Sequence, residues 1–325
     1  MAEEQMNFRK SIPAAIAAEM RLNPNIILLG EDVGAAGGVF KTSLGLFEEF
    51  GPERVLDTPI SEQAIIGAAI GSATQGLRPI AELMFADFAG VTFDQIANQL
   101  AKYRYMSAGQ YKLPVTVRLA NGVGGGFAAQ HSQSAENWFL NIPGLKIVTP
   151  STPNDMYGLL RSAIVDDNPV LVFEHKGLFN VKGDISNERI PLGFAQVVTR
   201  GTDLTIVATQ LMRHRTVEAA EILNSRGISV EVIDPRTLVP FDDATIRESL
   251  SKTSRLLVVQ EGPAGGSWGS DLITRTMSDS WSLFDAPPRL ISSPSTPVPY
   301  AANLENAWLP SVDKIVHAAT ELTGY

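Results

Sequence analysis

Apolar positions recur at helical spacing from Asn7 to Arg21, where Ile12, Ala15, Ile16 and Met20 share one face. The chain then becomes continuously apolar in NIILLGEDVG, which reads as a buried strand running into a loop over Gly30 to Gly38. The alternation repeats. A short helical stretch over Leu44 to Phe50 precedes the strand RVLDT, a small-residue helix opening at Pro59, the strand RPIAEL and a helix from about Val91 to Met106. PVTVRLAN, LKIVTP, the helix NDMYGLLRSAIV and PVLVFEH follow. Apolar strands alternating with helices predict an α/β, doubly wound fold, mainly parallel and covered on both faces.

Residues 176–192, KGLFNVKGDISNERIPL, are polar and broken by Gly and Pro, so a boundary is placed near 190, giving units 1–190 and 191–325. The second unit repeats the pattern. It contains DLTIVATQ, a helix over Thr216 to Arg226, SVEVIDPR, a helix over Asp243 to Lys252, RLLVVQEG, a helix around Ser270 to Met277, PRLISSP and a last helix near Val312 to Leu322.

Composition narrows the partners. The formal charge is −9, and the 26 Lys and Arg are scattered rather than gathered into a stripe for phosphate backbones, so nucleic acid is not expected. With no cysteine there is no disulfide, thiolate nucleophile or sulfur-ligated metal. MAEEQMNFRK lacks the apolar centre of a signal peptide, and no apolar run reaches the ~18 residues of a membrane span, so a soluble, cytoplasmic protein is expected.

The candidate chemistry begins in DTPISEQAIIGAAIGSATQG. Thr58 can cap this helix, Pro59 suits its first position and Gly76 can end it. Ile65, Ile66, Ala68, Ala69, Ile70 and Ala73 cover every direction, predicting a helix buried all round, and Gly67 and Gly71 would let another backbone approach. Glu62 at its head has two readings. It is a first-turn carboxylate favoured by the helix dipole, or a carboxyl whose pKa burial raises so that it shares a proton with a bound base.

His131, in AAQHSQS, follows a Gly-rich turn on the carboxyl side of a strand, where open parallel sheets place ligands, although a structural histidine fits equally. His175 is either site-lining or solvated, and His214 and His317 read as surface residues. Zinc spacing is absent. GVGGGFAA matches a dinucleotide fingerprint only weakly, because polar residues follow where an apolar helix is needed.

Taken in order, the helix segment through LRPIAELMFADF, then YRYMSAGQ, AAQHSQS, PGLKIVTPSTPNDMYGLLRSAIVDDNPV, EVIDPRTLVPFD and TPVPY resemble the β subunit of the thiamin-diphosphate-dependent component of 2-oxo acid dehydrogenase complexes. That family includes pyruvate, branched-chain and acetoin dehydrogenases. The resemblance implies a transketolase-like pyrimidine-binding domain followed by a transketolase C-terminal domain. It implies that Glu62 hydrogen-bonds the cofactor's aminopyrimidine, that Phe88 packs beside that ring and that His131 stands at the active-site mouth. Val115, Ala163, Ile164, Asp166 and Asn168 match positions that hold a structural monovalent cation, K+, mostly through backbone carbonyls.

The superfamily holds the diphosphate through Mg2+ on a Gly-Asp-Gly motif, and this chain has only KGDIS. The resemblance therefore implies an α subunit that carries the Mg2+ end in an α2β2 heterotetramer, and a lipoyl acyltransferase core to receive the acyl unit. VFEHKGLFNVKGDI is similar to the acetoin-cleaving members and NGVGGGFAAQHSQ to the pyruvate enzymes. The alternatives are a split transketolase-like subunit acting on sugar phosphates and a non-catalytic scaffold.

Overall fold

The computed structural model describes residues 4–324. In the first half β1 (Glu4–Asn7), α1 (Phe8–Leu22), β2 (Ile26–Gly30), α2 (Leu46–Phe50), β3 (Val55–Asp57), α3 (Glu62–Thr74) and β4 (Arg78–Leu83) come first. α4 (Tyr103–Met106), β5 (Thr116–Asn121), β6 (Lys146–Val148), α5 (Pro153–Val165), β7 (Val170–His175) and β8 (Lys182–Ile185) complete it. The second half runs through β9 (Gln196–Thr199), β10 (Leu204–Ala208), α6 (Gln210–Ser225), β11 (Val230–Asp234), β12 (Thr237–Val239), α7 (Asp243–Thr253) and β13 (Leu256–Val259). It closes with α8 (Trp268–Ser280), β14 (Arg289–Ile291), α9 (Ala302–Trp308) and α10 (Val312–Thr323).

The first sheet has the order β12-β6-β7-β5-β4-β2-β3, parallel throughout except for β12. β2, β5 and β7 are buried at every position, as strands covered on both faces must be. On one face Phe8, Ile12, Ile16 and Met20 of α1 pack with Met156, Leu159 and Leu160 of α5. Asn7 caps α1 by accepting from the Lys10 N–H at 2.8 Å, and Thr152 with Asp155 forms a capping box on α5. The opposite face carries Ile65, Ile66, Ala69 and Ile70 of α3.

The second sheet has the order β14-β13-β10-β11-β9, with only β9 antiparallel. The two halves are interlocked rather than strung together. β12 crosses back to pair with β6, Thr237 opposite Val148, and Val207, Ile233 and Val258 share the apolar core of α3 and β4.

Three expectations are corrected. The helix expected from Pro59 starts at Glu62, because the Thr58 N–H is tied to the Gly30 carbonyl at 2.9 Å, and Ser61 occupies the cap position. Nor is α3 buried all round: Gln63, Ala64, Ala68 and Gly71 form an exposed stripe, and no atom lies within 4 Å of where a Cβ on Gly71 would be. The helix expected over Val91 to Met106 is interrupted by a π-helical stretch, Gln95–Leu100, before α4.

Candidate active site

Parallel strands deliver their following loops to one edge, and the carboxyl edge of the first sheet collects the titratable groups here. Glu31 follows β2, the 3-10 turn Ala86–Gly90 follows β4, the loop carrying His131 follows β5, and His175 with Lys176 ends β7. Glu62 joins this edge as the first residue of α3.

Glu62 is 7 % exposed, and its carboxylate accepts no hydrogen bond among the described residues. Its electrostatic neighbour is Glu31, which the sequence reading missed. Burial, and then the charges of Glu62, Asp32 and Glu82, push the Glu31 carboxyl above its ordinary pKa. Behind them Arg118 is held between two carboxylates: Nη1 donates to Glu82 at 2.6 Å, while Nε and Nη2 donate to Glu174 at 2.6 and 3.0 Å. Burial alone would weaken the guanidinium's hold on its proton, and the two carboxylates more than reverse that. One cation among Glu31, Glu62, Glu82 and Glu174 leaves this edge with an excess of acidic groups, an environment suited to a cationic heterocycle.

His131 and Phe88 are brought together, ring centroids 5.2 Å apart, and Phe85 meets the His131 ring edge-on at 4.6 Å. Phe40 and Phe127 close the aromatic wall, 5.4 and 5.6 Å from Phe85. The Gly-rich segment before His131 forms no helix, so it offers no helix terminus to a pyrophosphate. Its glycines serve close approach instead. Gly122 has φ +70°, and a Cβ there would sit 2.5 Å from His175 Nε2; Gly124 has φ +124°, and its Cβ would meet the Gly177 backbone at 2.6 Å.

His175 is buried, not solvated. It accepts from the Gly177 N–H at Nδ1, which leaves Nε2–H to donate to Glu261 at 2.7 Å. Burial pushes the Glu261 carboxyl up, but His175 and the Val123 N–H outweigh it, and its pKa falls. Next to this pair Asn121 holds Glu136, donating to it at 2.7 Å; burial raises the Glu136 pKa to about 7. His214 is also half-buried, corrected from the surface role expected of it, with Nε2 2.7 Å from the Ser151 carbonyl and its pKa lowered by burial. His317 does lie on the surface, against Glu321.

The positions matched to a monovalent cation lie at the other end of the strands, before β5 and β7. There the Ile164 and Asp166 carbonyls accept from Arg78 at 3.1 and 2.7 Å, the Ala163 carbonyl from the Asp166 N–H and the Val115 carbonyl from the Val170 N–H. Asp166 also pairs with Lys146, and Asn168 accepts from Arg104 at 2.5 Å. Each of these four carbonyls keeps a second lone pair, the capacity a weakly held cation needs.

Two clefts stand out among the described residues. One of about 590 Å³, lined by Gln130, Gln133, Trp138, Thr296 and Trp308, opens beside the His131 loop between the halves. The other, about 720 Å³ and lined by Arg104, Tyr105, Met106 and Asn168, lies at the far end of the sheet, away from the acidic edge. Gly183 and Asp184 of KGDIS lie in β8, paired with β1. No cluster of three or more His, Asp or Glu suited to a metal occurs among the described residues, and no described helix is long and apolar enough to cross a membrane.

The chain matches the transketolase pyrimidine-binding domain over residues 4–182 and the transketolase C-terminal domain over 193–315. It is 46 % identical to the acetoin:2,6-dichlorophenolindophenol oxidoreductase subunit beta of Bacillus subtilis, over 97 % of this chain and 96 % of that one. It is 42 % identical to the 2-oxoisovalerate dehydrogenase subunit beta of the same organism, covering 98 % of this chain and 99 % of that one. A mitochondrial pyruvate dehydrogenase E1 component subunit beta-1 of Oryza sativa is 41 % identical, over 98 % of this chain and 87 % of that one. The fold is that of a split-gene transketolase solved as an inactive beta4 tetramer, with a TM-score of 0.82 over 98 % of both chains at 24 % identity. By these matches the chain belongs to the transketolase-like family of dehydrogenase β subunits that includes those of the acetoin, pyruvate and 2-oxoisovalerate enzymes.

Proposed function

We propose that this chain is the pyrimidine-binding β subunit of a thiamin-diphosphate-dependent oxidoreductase that cleaves acetoin, in preference to a 2-oxo acid, and passes the acyl unit to lipoamide. The observation that carries the reading is Glu62: buried, without a hydrogen-bond partner among the described residues, at the head of a helix whose outer stripe is bare. The acetoin preference is supported by the 46 % identical relative and by FEHKG at the end of β7.

When bound, thiamin diphosphate supplies the nucleophilic carbon and the electron sink of such reactions. Glu62 would hold a proton against the pyrimidine nitrogen, and Glu31, itself biased towards the protonated form, would limit the repulsion Glu62 meets when ionised. Phe88 would pack beside the pyrimidine and, with Phe85 and Phe127, exclude water. His131, held edge-on by Phe85 and Phe88, exchanges a proton with the oxygen of the reacting substrate. An α subunit would bring the diphosphate and its Mg2+, in an α2β2 assembly that docks on a lipoyl acyltransferase core. At the far end of the sheet, K+ would be held by the carbonyls of Val115, Ala163, Ile164, Asp166 and Asn168, sharing those of Ile164 and Asp166 with Arg78.

Calorimetric titration of thiamin diphosphate with Mg2+ into this chain, with and without its α subunit, tests the reading. Binding is expected only in the complex; saturable binding to this chain alone, or none in the complex, contradicts it.

A further inference from the structure

Three buried polar atoms around the His131 loop have no hydrogen-bond partner among the described residues: Lys176 Nζ, Asp87 Oδ2 and Ser132 Oγ. Lys176 is 5 % exposed and Asp87 9 %, so bulk water does not satisfy them. Lys176 Nζ lies 5.7 Å from the centre of the Phe85 ring, which also meets His131. Asp87, in the 3-10 turn Ala86–Gly90, is tied to the His131 loop. Its Oδ1 accepts from the Gln133 side chain at 2.8 Å and from the Gln133 N–H at 3.2 Å, leaving Oδ2 free.

Three carboxylates act on the ammonium, in order Asp87, Glu261 and Glu305, and none pairs with it within 4.0 Å. Glu261 is already engaged by His175 and the Val123 N–H, and Glu305 faces the Gly124 N–H at 3.5 Å. Asp87 Oδ2 is therefore the unengaged counterpart. Lys176 Nζ and Asp87 Oδ2, both buried and unpaired among the described residues, would both be satisfied by one group between them that donates and accepts a hydrogen bond.

We propose that Lys176 Nζ and Asp87 Oδ2 form a subsite for the hydroxyl of a hydroxyketone substrate, the ammonium donating to the hydroxyl oxygen and the carboxylate accepting from its O–H. The subsite rests on the acetoin reading above and explains its selectivity. A hydroxyl satisfies both groups, whereas the carboxylate of a 2-oxo acid in the same place gains from Lys176 and is repelled by Asp87. Burial lowers the Lys176 pKa to about 8 against the opposing pull of Asp87, Glu261 and Glu305, so the ammonium is still the main form at neutral pH but is poorly compensated until the substrate arrives.

The test uses the complex with the α subunit, loaded with thiamin diphosphate and Mg2+, and measures KM for acetoin and for pyruvate by dye reduction. Asp87→Asn keeps the acceptor for Gln133 and puts an N–H donor where Oδ2 stood. It is expected to raise KM for acetoin about tenfold and to lower KM for pyruvate, an inversion that a general loss of structure cannot produce. Lys176→Met is expected to raise both. If Lys176→Met does not assemble, the Asp87→Asn ratio decides alone. An unchanged acetoin-to-pyruvate KM ratio in Asp87→Asn, as when only an ordered water bridges the two groups, overturns the subsite while leaving acetoin cleavage standing. A wild-type complex that turns over neither substrate overturns both.

Discussion

Glu136 is a residue whose chemistry reaches the stability of the whole chain. Its carboxyl is buried beside Asn121, and its pKa is raised to about 7 from the ordinary 4.5. A raised carboxyl pKa means that the folded state holds the proton more tightly than the unfolded one. This contribution is therefore present at low pH and is lost as pH rises from about 4.5 to about 7, a change of roughly 3 kcal/mol. Glu136→Gln removes the titration. Denaturant unfolding is expected to show the variant gaining stability relative to wild type at pH 8 compared with pH 5; an equal difference at both pH values contradicts the assignment. Glu62 and His131 stand out in one dimension, as a lone carboxylate before an apolar helix and a histidine after a Gly-rich strand end, whereas Phe88 is singled out only by the family resemblance. Lys176, Asp87 and Glu31 were not legible, since a charged residue at a strand end looks solvated until the loop that covers it is placed.

At the scale of elements, periodicity carried α1, α5, α10 and the buried strands, because each repeats its burial pattern over several turns or positions. It failed where the determinant is not periodic. β12 is three residues long and exists only because β6 offers an edge, and the π-helical stretch at Gln95–Leu100 has no compositional signature. For α3 the apolar composition was read as burial all round, yet Ala64, Ala68 and Gly71 face outward. Small residues on an exposed stripe permit close backbone approach by a second chain. Ala68→Arg, at an exposed position, is expected to leave the circular dichroism of the isolated chain unchanged and to abolish co-elution with the α subunit. A stable complex carrying this substitution would place the interface elsewhere.

On the scale of the molecule, the two sheets share one apolar core, so the loops beside His131 and the segments carrying Glu261 and Glu305 are positioned against each other rather than tethered. The acidic edge, the aromatic wall and the buried Glu62 suit the proposed binding of thiamin, whose thiazolium ring is cationic, while the described residues hold no metal cluster for its diphosphate. The missing Gly-Asp-Gly motif is the sequence feature behind the proposal that a second chain holds the diphosphate. The interlocking of the halves through β12 was not legible in the sequence, because strand exchange is set by tertiary pairing. If Glu62 handles the cofactor's proton, acetoin-dependent dye reduction by the reconstituted complex carrying Glu62→Gln shows a fall in kcat of about 10²–10⁴-fold with the complex still assembled; wild-type turnover would rule that role out.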